Sequence, residues 1–416
     1  MRTRTFALSR NALGVTAGAV ILVSCGGSQP PIAVPGGIPR SPIRNVVPQW
    51  QARHLARAVC PEVVGKPTCS ALQVIKRGTG LCPPICGWTP AQLETAYGLT
   101  SVLGNGSGTN VALIEVGDLA LAASDLSTYR NEFGLGTGNL TKYNEYGEQS
   151  KYPPSCENNG WCITSDLDID MVSAACPKCN IFLIEAKDGI SDLETAEAEA
   201  VTLGATIVSN SWTCPGSYDC GDKSFSKYFD TPGVAYLAAS GDAYGNIGAP
   251  AALTSVIAVG GTQLSLYGSK YSETLWYESG GGCADPSEVG GSGIPKPSWQ
   301  KDPDCKYRTV VDVSAEAGCG PGVDVYSGVY GGWWDYCGMS VSTSFTAGVI
   351  ALAGNADKLD AGKTFWTFNS KQHQRYFLHP SGAAEGCGNY LCGHGRYEKY
   401  YSGPGGWGSP NGTKGY

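Results

Sequence analysis

The chain has 416 residues, enough for one large α/β domain or two ordinary ones. Only 16% of them are charged and 58 are glycine, about twice the usual share, which suits a compact, loop-rich extracellular protein. A net charge of −7 argues against nucleic acid as a partner, and the low charged content fits work in acid, where it limits self-repulsion.

At the N-terminus, Arg2, Arg4 and Arg10 precede an apolar stretch over residues 12–23, shorter than the roughly 20 residues of a membrane span. It ends in Leu22-Val23-Ser24-Cys25-Gly26, which is similar to the bacterial lipoprotein signal, where the cysteine is lipidated and becomes the first mature residue. We expect a signal peptide over 1–24 and a lipid anchor at Cys25, with an ordinary secretory signal as the alternative. Gly26, where an aspartate could stand, points to the outer membrane or cell surface. Residues 25–50, rich in Pro and Gly, predict a flexible tether, and 51–86 a short cysteine-bearing segment ahead of one domain over 87–416. Seventeen cysteines less Cys25 leave sixteen, an even number in an exported chain. Proximity suggests Cys60/Cys69, Cys82/Cys86, Cys156/Cys162, Cys214/Cys220, Cys283/Cys305, Cys319/Cys337 and Cys387/Cys392. Cys176-Pro177-Lys178-Cys179 lacks a second such pair or a nearby histidine, so a structural disulfide is expected rather than a redox or metal pair.

Beyond residue 88 apolar strands alternate with helical runs. The pattern predicts a strand over 111–115, helices over 122–133 and 164–175, a strand over 181–185, and a helix over 192–203 capped by Ser191. Strands over 205–209, 234–239 and 256–259 follow. Continuous Val, Ile, Ala and Leu in such strands imply a doubly wound, mostly parallel sheet with helices on both faces. Ligands in these sheets bind beyond the carboxyl ends of the strands, where Glu115, Ser211-Trp212 and Gly241-Asp242 stand. Residues 263–335 are expected to be loop-rich and the tail from 403 mostly turn.

Gly338-Met339-Ser340 opens a helical run of small and apolar residues over 341–353. A serine at a helix N-terminus is a common place for a nucleophile, since orphan N–H groups and the helix dipole stabilise a developing oxyanion. Its base is usually histidine, yet the four histidines are His54, His373, His379 and His394, with none in between. If Ser340 is a nucleophile, its base must be a carboxylate.

With these motifs the chain resembles the sedolisin (serine-carboxyl peptidase) family, whose members have a subtilisin-like fold and work at acid pH. The resemblance runs through Gly87-Trp88-Thr89-Pro90-Ala91-Gln92-Leu93 with Ala96-Tyr97-Gly98-Leu99, Leu167-Asp168-Ile169-Asp170-Met171, and Ser240-Gly241-Asp242. It continues in Ala258-Val259-Gly260-Gly261-Thr262 and Lys296-Pro297-Ser298-Trp299-Gln300. It implies that Ser340 is the nucleophile, with Met339 where the family has threonine. It further implies that Asp242 is a protonated donor to the oxyanion, Asp168 supports the base, Glu115 is an outer glutamate, and Trp212 belongs to the same network beside Ser211 in the substrate cleft.

The family's base lies four residues before the supporting aspartate, one helical turn away, and that position holds Thr164, whose hydroxyl is not basic at these pH values. Asp166, Asp170, Glu157 and Glu115 are the carboxylates that could take over. The calcium site the family builds near its C-terminus carries Leu378 and Ser402 in place of two aspartates, so no metal or other cofactor is expected. The roughly 60 residues between Cys25 and Gly87 are too few for the family's large propeptide, so none is expected. The reading is an exported, lipid-anchored, monomeric relative of the serine endopeptidases, with peptide or protein as its partner and proteolysis impaired by the loss of the base. The alternatives are a pseudopeptidase that binds peptide without cutting it, and a purely structural surface lipoprotein.

Overall fold

The computed structural model describes residues 56–63, 65–75, 85–214, 220, 223–243, 247–383 and 388–416. The signal peptide, Cys25, the tether, Cys82 and Cys387 lie outside these residues.

A run of apolar β-formers opens the central sheet. Strand β4 (Asn110–Val116) is buried from Val111 to Val116. Successive side chains in a strand point to opposite faces, so both faces of the sheet are covered at this position. Three short strands precede it, β1 (Ala56–Ala58), β2 (Thr68–Cys69) and β3 (Leu72–Val74). After it come β5 (Asn139–Asn144), β6 (Asn180–Ala186), β7 (Ile207–Asn210), β8 (Trp212–Thr213), β9 (Ala235–Ala239), β10 (Ile257–Tyr267) and β11 (Lys270–Leu275). The chain continues through β12 (Gly282–Cys283), β13 (Thr309–Val310), β14 (Val313–Glu316), β15 (Val323–Ser327), β16 (Gly332–Cys337), β17 (Phe377–Leu378) and β18 (Ser409–Pro410). The main sheet runs β11-β10-β9-β7-β4-β6-β5, with β14 also on β10, and all its pairs are parallel except β10/β11. This is the parallel arrangement the sequence predicts.

Besides the four-residue helices Lys223–Ser226 and Pro286–Val289, the α-helices among the described residues are α1 (Pro90–Ala96), α2 (Ala122–Glu132), α3 (Trp161–Ala175), α4 (Ile190–Thr202), α5 (Met339–Ala353), α6 (Lys363–Thr367) and α7 (Ser370–Tyr376). Helix α5 packs on β7, β9, β10 and β14 and along α3. Gly348 makes that close approach possible, because a methyl there would collide with Ala175 and the Val172 carbonyl. Both α3 and α5 are buried over nearly their whole length, so helix propensity matters less than packing for their stability.

The structure departs from the sequence reading in three places. Ser191 is not the cap of α4; Gly189 is, and its N–H donates to the Asp192 carboxylate at 3.1 Å. The strand expected over 256–259 continues to Tyr267 and turns at Gly268 (φ 64°) into β11. The stretch expected to be loop-rich also holds β14, β15 and β16. Dense flanking glycine masks the short alternations Val-Asp-Val-Tyr-Ser and Gly-Trp-Trp-Asp-Tyr-Cys.

Among the described residues the disulfides are Cys60–Cys69, Cys156–Cys162, Cys176–Cys179, Cys214–Cys220, Cys283–Cys305 and Cys319–Cys337, each an expected pairing. The remaining two expected pairs each involve a cysteine outside the described residues. No helix among the described residues is long and apolar enough to cross a membrane.

Candidate active site

The site begins with a glycine. Gly338 has φ 104°, in the region that favours glycine, and delivers the chain from β16 into the first turn of α5. A side chain would not fit there: a methyl would lie 2.9 Å from the Ser70 carbonyl oxygen and 3.2 Å from Asp242 Oδ2. Ser340 follows at the helix N-terminus, fully buried, and its Oγ has no hydrogen-bond partner among the described residues. Its backbone N–H donates to the Ser70 carbonyl at 2.8 Å.

Asp242 is at the carboxyl end of β9, half-buried, and its Oδ1 accepts the Met339 N–H at 2.7 Å. Desolvation, opposed by that hydrogen bond and assisted by the nearby Glu278 charge, pushes its carboxyl up to about 7. Below that pH Asp242 carries a proton and can donate to an oxygen held beside Gly338. The structure therefore brings together Ser340 and Asp242, as the sequence reading requires.

Asp168 lies on α3, fully buried, where its Oδ2 accepts the Ser211 hydroxyl at 2.5 Å. Ser344, one turn after Ser340 on α5, flanks it, as does Glu115 from the end of β4. Burial raises Asp168 to about 7, with the Ser211 hydroxyl the first of the neighbouring groups that work the other way, while Ser344 gives its own hydroxyl to the Ser340 carbonyl at 2.6 Å. Glu115 is pushed well above the usual carboxylate range by burial first, then by the Asp168 and Glu185 charges. In acid this cluster is neutral and packed rather than poised to accept a proton.

The pairing of Asp168 with Ser344, and of Val172 and Ala175 with Gly348, sets a common register for α3 and α5. Extended one turn back, the same register puts Thr164 opposite Ser340. Thr164 is fully buried and its hydroxyl, like that of Ser340, has no hydrogen-bond partner among the described residues. A carboxylate between the two helices at this level would face the Ser340 hydroxyl, and a threonine hydroxyl is not basic.

The other carboxylates lie elsewhere. Asp166 and Asp170 are buried on the side of α3 that meets β15. Asp166 lies against Ser327, and Asp170 accepts the Tyr326 N–H at 3.3 Å. A two-residue step on a helix turns a side chain about 200°, which is why they miss Ser340. Glu157 is exposed beside a pocket of about 330 Å³ lined also by Gly160, Ile163, Tyr330 and Trp334.

Trp212 is fully buried and its ring lies 6.4 Å from that of Phe229, so it forms a wall behind β8. Ser211 does two things: its hydroxyl holds Asp168, and its carbonyl accepts the Ser70 N–H at 2.9 Å. Sequence reasoning missed Ser70 and Ser344. The signal for Ser344 is its four-residue spacing from Ser340. For Ser70 the only local sign is the cysteine beside it.

The calcium position inferred from resemblance holds no cage of oxygen ligands. Leu378 pairs in β17 with Ser409, and Ser402 is buried beside an aromatic cluster in which His373 stacks on Trp407 with 3.8 Å between ring centroids. Among the described residues no group of three or more His, Cys, Asp or Glu side chains is placed to hold a metal. The Leu378 side chain supplies no oxygen and the Ser402 hydroxyl no charge, so the side chains at these two positions do not fit the ion.

No family model and no curated protein sequence matches the chain. Among solved structures, Pseudomonas sedolisin, a serine-carboxyl proteinase complexed with two molecules of pseudo-iodotyrostatin, is similar over 80% of this chain and 96% of its own, with 23% identity and a TM-score of 0.64. Sphericase, at 15% identity, covers 77% of this chain and 98% of its own with a TM-score of 0.46. Fervidolysin from Fervidobacterium pennivorans, a keratinolytic enzyme related to subtilisin, is 14% identical, with 77% and 44% covered and a TM-score of 0.44. The first of these likenesses establishes a sedolisin-like fold.

Proposed function

We propose that this chain is a serine-carboxyl-type endopeptidase by descent whose cleft binds an extended peptide and holds one peptide bond at Ser340, with hydrolysis severely impaired. The observation that carries this reading is the pair of unpartnered, buried hydroxyls of Ser340 and Thr164 where a nucleophile and its base would meet. The Ser340 N–H and the Asp242 carboxyl converge beside Gly338, which supports the reading. Asp168 holds Ser211 rather than a base.

In this reading an incoming peptide carbonyl accepts from the Ser340 N–H and from protonated Asp242. Attack by the Ser340 hydroxyl then fails for want of a proton acceptor, a loss of about 100- to 10,000-fold for a general base. The site is peptide-binding first. The protein acts outside the cytoplasm, consistent with its six disulfides, as a monomer anchored through a lipid on Cys25, and it stands without calcium or another cofactor.

Hydrolysis of a denatured protein substrate from pH 3 to 7 tests this, comparing the parent, Ser340→Ala and Thr164→Glu. The parent is expected to stay within the background of Ser340→Ala, while Thr164→Glu cleaves at least about 100-fold faster. Cleavage by the parent that Ser340→Ala abolishes would overturn the impaired-base reading and give the base role to Asp168 with Glu115.

A further inference from the structure

The groove in front of Ser340 is already filled by the chain itself. We propose that residues 68–74 are a tethered occupant of the peptide cleft, held in the register of a substrate with the Ser70–Ala71 peptide bond presented to Ser340. This rests on reading the cleft as a peptide site.

Four observations carry it. First, β2 adds antiparallel to β8, with Thr68 opposite Thr213 and Cys69 opposite Trp212, and the Ser70 N–H continues the ladder to the Ser211 carbonyl at 2.9 Å. Strand addition along an edge beside the site is how extended peptides are commonly held. Second, the Ser70 carbonyl accepts the Ser340 N–H at 2.8 Å and lies on the same side of Gly338 as Asp242 Oδ2. Those are the two groups assigned to an oxyanion, so the Ser70 carbonyl occupies the position of a carbonyl under attack. Third, the chain beyond Ala71 stays in the groove: Leu72 pairs with Cys337 and Gln73 with Tyr336, the residues just ahead of the nucleophile turn. The chain is thus gripped on both sides of one peptide bond. Fourth, the segment is fastened behind. Cys60–Cys69 closes a loop, β1 folds back on β3, and the Val59 N–H donates to the Ala71 carbonyl at 3.1 Å. Ser70, Ala71, Gln73 and Val74 are all buried.

Preorganisation by a disulfide and a hairpin lowers the entropy lost on seating a strand, and tethering raises its effective concentration to roughly millimolar. A free peptide must displace this segment to enter. A free peptide therefore enters only in the fraction of molecules whose residues 68–74 are withdrawn, and cleavage by Thr164→Glu runs through that open fraction.

Hydrogen exchange on the full chain, paired with binding of a fluorescein-labelled heptapeptide Thr-Ser-Ser-Ala-Leu-Gln-Val, tests the proposal. In the parent, amides of 68–74 and the Ser340 amide should exchange at least about 100-fold slower than in the free heptapeptide. Ser70→Pro removes the N–H given to Ser211. It should speed exchange at 68–74 and Ser340 at least about 10-fold, leave the rest of α5 protected, and bind the heptapeptide at least about 10-fold tighter than the parent. Unprotected 68–74 amides in the parent, or equal uptake of the heptapeptide by parent and variant, would overturn the occupant proposal while leaving the peptide-site reading intact. Release of the segment without any uptake would sink the peptide-site reading itself and the proposal with it. Should Ser70→Pro fail to fold, the parent's exchange pattern decides by itself.

Discussion

Ser340, Thr164 and Asp242 show how far single side chains carry a function. Asp242 is useful only while protonated, and burial keeps it so up to about pH 7. The sign follows from the role: a donor to an oxyanion is lost as pH rises through its pKa. In a Thr164→Glu background, hydrolysis should fall through about pH 7. Adding Asp242→Asn, which donates at any pH, should remove that fall even if the maximal rate drops, and a pH–rate profile of kcat/KM checks it. A profile unchanged by Asp242→Asn would take the oxyanion role away from Asp242. At this scale Ser340 stands out in the sequence as a serine opening an apolar helical run, whereas the roles expected of Asp168, Asp242 and Thr164 come from the resemblance to the sedolisin family. The idleness of Asp166 and Asp170 follows as well, since two residues on a helix span more than half a turn.

At the scale of elements, the parallel strands and the two long buried helices are legible because each is a continuous apolar run. The strands between 263 and 335 are not, since short alternations among glycines give weak period-two signals. The C-terminal elements have a support of their own. Where the resemblance calls for a calcium loop, β17 and β18 pair across a cluster of His373, Trp407, Tyr401 and Trp366. Rings of this size bury large apolar areas and need no ion to bring them together. Thermal unfolding with EDTA and with added calcium should therefore give midpoints within about 1 °C of each other, since a ligand that does not bind the native state cannot shift its stability. A calcium-dependent rise of several degrees would show a site this account has missed.

For the whole molecule the telling feature is the number of buried acids. Glu115, Asp166, Asp170, Glu197 and Glu316 are all held well above the ordinary range, chiefly by desolvation, and Asp168 and Asp242 reach about 7. A carboxyl with a raised folded pKa binds its proton more tightly in the native state than in the unfolded chain. Its contribution is thus fully present below the unfolded value near 4 and is lost as pH rises through the folded value. Stability should be greatest in acid and decline across pH 4 to 7 and beyond. We expect a thermal midpoint at pH 4 that is at least about 5 °C above that at pH 8, read by calorimetry on the full chain. A midpoint that rises with pH would contradict the buried, protonated state of these groups.

The amino-acid sequence by itself determined the strand and helix order of the main sheet, and it marked Ser340 as a nucleophile candidate that, with no histidine near it in sequence, would need a carboxylate base. Those readings rest on periodicity, spacing or residue chemistry within short stretches, whereas the assignment of the base position to Thr164 rests on the resemblance to the sedolisin family. Only the tertiary structure decided what lies in the cleft. Residues 68–74 meet Ser211, Trp212 and Ser340, partners more than a hundred residues away, and no local pattern in Thr-Cys-Ser-Ala-Leu-Gln-Val distinguishes a strand that fills a groove from one that pairs elsewhere. Strand pairing is set by which edge the folded domain leaves open, and that edge exists only once the sheet and α5 have come together.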